Sequence, residues 1–94
     1  MKQHDTLEMR VIIPAMGRNM ITDRTELARM IGLDYQALRR RMIVAPGSMR
    51  LYELASIHEE CDLTPVEVLA LATRKEVRDC EKWLQAWLRQ HPLS

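Results

Sequence analysis

Apolar residues recur every three or four positions along most of the chain, and no stretch alternates in twos long enough to make a strand. The pattern predicts an all-α fold. A first helix covers about residues 7–19, with Met9, Ile12, Ile13, Met16 and Met20 on one face. Pro14 conflicts with an uninterrupted helix there, because an interior proline removes a hydrogen bond and crowds the preceding turn. The expectation is therefore a late start near Val11, which puts Pro14 in the first turn. Asp23 followed by Glu26 reads as an N-cap with its capping-box partner. A second helix then runs from Arg24 to about Ile31, burying Leu27, Ala28 and Ile31, and Gly32 stands where a left-handed residue ends it. Asp34 caps a third helix from Tyr35 to about Ile43. Residues 45–48, Ala-Pro-Gly-Ser, break the chain. A fourth helix, about residues 49–60, turns Leu51, Leu54, Ala55 and Ile57 inward. Thr64 caps a fifth, with Pro65 at its favoured first position. Neither Gly nor Pro interrupts the pattern from Val66 until Pro92.

Composition narrows what such a fold does. At 94 residues the chain is one small domain, and no apolar run approaches the length of a bilayer span. No charged segment leads into an apolar one at the N-terminus, so a cytoplasmic location is the default expectation. Three glycines leave little material for a phosphate-cradling loop, and no nucleophile, base and oxyanion site assemble in the pattern, so no enzymatic activity and no cofactor are expected. His58, Cys61, Cys80 and His91 invite a zinc site, but their spacing matches no compact ligand pair and no metal is expected. The net charge of +1 conceals an asymmetry. Residues 1–50 hold nine basic residues against five acids, a balance of +4, and residues 51–94 hold five against eight, a balance of −3. The basic half is almost all arginine, whose planar fork suits phosphates and guanine edges. All seven methionines fall in that half, those at 9, 16, 20, 30, 42 and 49 expected as adaptable core filler, and both tryptophans lie near the C-terminus.

Residues 24–43, RTELARMIGLDYQALRRRMI, place Leu27, Ala28, Gly32, Leu33 and Leu38 at the spacing of a helix-turn-helix. Together with the Pro-Gly-Ser turn, LxxLxxI and LTPxEVL, the segment from about residue 9 to 72 resembles the phage repressor and Cro-type (XRE, lambda-repressor-like) DNA-binding family. The resemblance implies a five-helix domain over residues 1–72 and a sequence-specific transcriptional regulator of phage or bacterial type, a repressor, bound to double-stranded DNA. It makes the third helix the recognition helix in the major groove. Tyr35, Gln36, Arg39 and Arg40 would face base edges, and Arg24, Arg18, Arg41 and Arg50 would hold phosphates. Arg50 stands where relatives carry a capping hydroxyl, so Ser48 is the expected cap of the fourth helix.

Residues 73–94 extend beyond that resemblance. Ala70, Thr73, Val77, Cys80, Leu84 and Trp87 follow a coiled-coil seam, widened by Trp83 and Leu88. One expectation is that this helix folds back onto its own domain. The other, favoured because such DNA binders commonly act as two-fold dimers, is a homodimer through Val77, Cys80, Trp83, Leu84, Trp87 and Leu88. A second class of function stays open. The scaffold can serve as a protein-interaction module, such as an antitoxin, a replication or packaging adaptor, or an antagonist of a regulator.

Overall fold

The computed structural model describes residues 5–92, and among these every regular element is helical. The first helix, α1, runs Leu7–Arg18 without interruption. The late start expected from Pro14 is thus incorrect. Thr6 caps the helix by accepting the Met9 N–H at 3.1 Å, and Pro14 sits in the interior on the solvent side. There, solvent can meet the carbonyl that its missing N–H leaves free. The inward face also differs from the expected one. Leu7, Val11, Ile12, Ala15 and Met16 are buried, while Ile13 and Met20 are exposed. Met20 lies beyond the helix end in the left-handed region, φ 58°.

Helix α2, Arg24–Met30, and helix α3, Tyr35–Arg39, begin as their capping residues dictate. Asp23 accepts the Glu26 N–H and Asp34 the Ala37 N–H, each at 2.8 Å. Glu26 does not complete a capping box, because its carboxylate takes the Thr22 hydroxyl instead. Gly32 turns the chain at φ 76°, and the Leu33 N–H closes back on the Ala28 carbonyl at 2.9 Å. Helix α3 then widens into a π-helical turn, Arg40–Val44, closed by the Ala45 N–H on the Arg40 carbonyl at 2.8 Å. Pro46 explains part of this ending. It has no N–H to give the Met42 carbonyl, which accepts the Thr6 hydroxyl at 2.6 Å.

Helix α4, Leu51–Cys61, starts at Arg50, whose N–H donates to the Glu53 carboxylate at 2.9 Å. Ser48 is not its cap, contrary to expectation: its hydroxyl closes the preceding turn on the Ala45 carbonyl. Nor does α4 bury Leu51 and Ala55. Leu51 is 81% exposed, and the inward positions belong to Glu53, Leu54, Ile57 and Cys61. Helix α5, Pro65–Thr73, carries the expected Thr64 cap and a reciprocal bond from the Thr64 N–H to Glu67.

The core joins all of these. Ile12, Leu27, Leu38, Met42, Ile57 and Cys61 are sealed from solvent, and Leu63 and Leu71 close it below. Burial disfavours the Cys61 thiolate and pushes its pKa up to about 11, so the thiol is inert near neutrality. The continuous seam expected through residues 70–87 does not exist. Arg74, at φ 59°, ends α5, and α6, Val77–Gln90, starts again after Glu76. This corner is tied to α1 by two ion pairs. Arg74 reaches buried Glu8, which also accepts the Gly47 N–H, and Arg10 bridges Asp5 and Glu76. Val77 packs against the core edge and Cys80 is buried, so these two expected dimer residues are used within the chain.

Candidate nucleic-acid interface

A helix of five residues offers few positions, and α3 divides them strictly. Leu38 is fully buried and holds the helix on the core. Gln36 is exposed, and Arg39 and Arg40 follow it by three and four residues, so the three share one side. Arg40 is exposed and Arg39 half-buried. Tyr35, also half-buried, contacts α2: the Arg24 Nη2 donates to its hydroxyl at 3.3 Å, and the guanidinium carbon lies 5.9 Å from the ring centre. The Arg24 Nη1 is buried without a partner among the described residues. Tyr35 therefore locks the two helices of the motif together as well as facing outward.

The six arginines expected to meet DNA, alongside Tyr35 and Gln36, are not equally available. Among the described residues, Arg39, Arg40 and Arg50 make no ion pair. Two others are already engaged. Arg18 forks onto Glu67 with bonds of 2.7 and 3.0 Å, joining the end of α1 to the start of α5. Burial alone would raise the Glu67 pKa, but the Arg18 fork and the Thr64 N–H bring it below the ordinary carboxylate value. Arg41 is turned inward, with its Nε 2.9 Å from Glu53, and its side chain is 13% exposed. The structure thus brings together Arg24 and Tyr35, and separately Gln36, Arg39 and Arg40. It sets Arg18 apart at the α1–α5 junction.

Two buried acids that hold elements in place, Glu53 beside this surface and Glu8 at the Arg74 corner, have no counterpart in the sequence-based expectations. Glu8 and Glu53 are buried carboxylates, each with one oxygen lacking a protein partner. The R-x-x-E spacing of residues 50–53 is a signal for Glu53, since it places a carboxylate over a helix N-terminus. Glu8 carries a weaker signal, an acid in the first turn of a helix. Among the described residues no group of three or more His, Cys, Asp and Glu side chains is arranged to hold a metal, and no helix is long and apolar enough to cross a membrane.

At the C-terminal end of the chain, α6 packs against α5 and leaves Trp83 56% and Trp87 39% exposed. Leu84 and Leu88 are half-buried, and the Trp87 ring stacks on His91 with centroids 4.3 Å apart. No family model, curated protein or solved structure matches the chain.

Proposed function

We propose that the chain is a sequence-specific double-stranded DNA-binding regulator of the repressor and Cro type, bacterial or phage-encoded and acting in the cytoplasm, with α3 as its recognition helix. One observation carries this reading. The arginines with carboxylate partners sit where they fasten helices together, whereas Arg39 and Arg40 have no such partner among the described residues and share a side with Gln36. Gln pairs with adenine and Arg with guanine through two hydrogen bonds in the major groove, each worth about 1–3 kcal/mol of discrimination. Arg24, the first residue of α2, and exposed Arg50, before the first turn of α4, suit phosphates. Phosphate contacts make such binding fall steeply with salt. The test is the double variant R39A/R40A, checked by circular dichroism for an intact fold. Loss of binding to duplexes selected from a random library is expected, and undiminished binding would remove α3 from the interface.

The exposed tryptophans favour a further element of this reading, a homodimer through α6. They equally suit a different protein partner. Salt-insensitive binding to a protein, with no affinity for any duplex, would favour the interaction-module alternative.

A further inference from the structure

We infer that Glu53 is a positioning residue for the recognition helix, holding its π-helical end so that Arg40 faces outward while Arg41 stays out of the DNA interface. The inference rests on the DNA-binding reading of α3. The Glu53 side chain is 1% exposed, and its Oε1 receives two donors: the Arg41 Nε and the Arg50 N–H, each at 2.9 Å. One carboxylate oxygen therefore joins the end of the recognition helix to the first residue of α4. On the neighbouring residue, the Thr6 hydroxyl grips the Met42 carbonyl, and the Met42 side chain is sealed in the core. The π-helical turn is thus held at two consecutive residues, from two different elements.

Register is what this anchoring controls. An i→i+5 turn is wider than an α-turn and advances each residue less around the axis. Were residues 40–44 to tighten to α geometry, Arg40 and Arg41 would rotate together. Either Arg41 would leave Glu53, or Arg40 and Arg39 would swing away from the side they share with Gln36. Burial decides against the first outcome. The Glu53 Oε2 is buried without a partner, so releasing Arg41 to a phosphate leaves a buried carboxylate with the Arg50 N–H alone. A surface phosphate contact in water cannot offset that. Arg41, an arginine in the middle of a basic run, is accordingly committed to the protein interior.

The test uses the full chain with both members of the pair replaced, R41M with E53L, because exchanging a buried pair for apolar residues of similar volume preserves folding where removing one partner does not. Fluorescence anisotropy compares a duplex selected from a random library with an unselected one across a salt series. The ratio of the two affinities should fall about tenfold or more, the equivalent of one base contact, with the salt slope unchanged. An unchanged ratio overturns the positioning role. A salt slope reduced by about one also overturns it, because Arg41 is then a phosphate contact. Should the paired variant fail to fold, E53Q keeps an oxygen for the Arg50 N–H and removes the charge that retains Arg41. A smaller loss of the ratio is expected, and a wild-type ratio again overturns the proposal. Wild-type protein without salt-dependent binding to either duplex overturns the DNA reading itself, a result distinct from normal binding with an unaffected ratio.

Discussion

Met20 and Arg74 share a left-handed backbone, φ 58° and 59°, yet replacing them with glycine should have opposite effects. A side chain in this region costs roughly 1–2 kcal/mol, and glycine relieves that at about 0.5–1 kcal/mol of added unfolded-state entropy. Met20 is 86% exposed, so Met20→Gly should stabilise the chain slightly, by about 0.5 kcal/mol. Arg74→Gly gains the same relief but strands Glu8, buried with only the Gly47 N–H to hold it. Net destabilisation of about 1–3 kcal/mol is expected. Urea unfolding of both variants checks the contrast, and equal signs would deny Arg74 its structural role. Neither position is legible in the sequence. Left-handed residues are announced by glycine, as at Gly32, whereas Met20 and Arg74 adopt the conformation because neighbouring elements demand it.

Among elements, α1 shows most clearly where periodicity misleads. Proline in a helix interior costs about 3 kcal/mol relative to alanine, which argues for starting the helix late. Packing overrides that penalty, since the early turn buries Leu7 and supplies Glu8 to Arg74, and Pro14 faces solvent. Pro14→Ala should therefore stabilise the chain by about 1–2 kcal/mol in urea unfolding, the helix gain being partly offset by a freer unfolded chain. A neutral result would be the signature of Pro14 in a first turn, where its missing donor costs nothing. By contrast, α2 and α5 begin where their capping residues say, because Asp23 and Thr64 act within one turn of their own helix. The inward face of α4 departs from the hydrophobic pattern for a related reason. The buried Glu53 takes a core position that a hydrophobic pattern never assigns to an acid.

For the molecule as a whole, α6 poses the open question of assembly. Its expected six-residue seam is split, with Val77 and Cys80 turned toward the chain's own core and Trp83 and Trp87 left outside. If two copies pair through this edge, light scattering should give twice the chain mass, and Trp83→Glu should return it to a single chain without changing the circular dichroism spectrum. A wild-type protein of single-chain mass at the concentrations used for DNA binding would refute the dimer. The split could not be foreseen from heptad spacing, because the break at Arg74 is held by Glu8 and Arg10, sixty-six residues away from their partners.

What the sequence determined by itself was local: helical periodicity, the caps at Asp23, Asp34 and Thr64, the glycine turn at Gly32, and the placement of arginine in one half of the chain. Each is set by residues within a few positions, so it survives any tertiary arrangement. The tertiary structure alone decided which arginines are free. Arg18 and Arg41 look the same as Arg39 and Arg40 in the sequence, and only the approach of Glu67 and Glu53 from other helices engages them, Arg18 on the surface and Arg41 turned inward. Charge is a property of the residue, but its availability depends on which opposite charge the fold brings within reach.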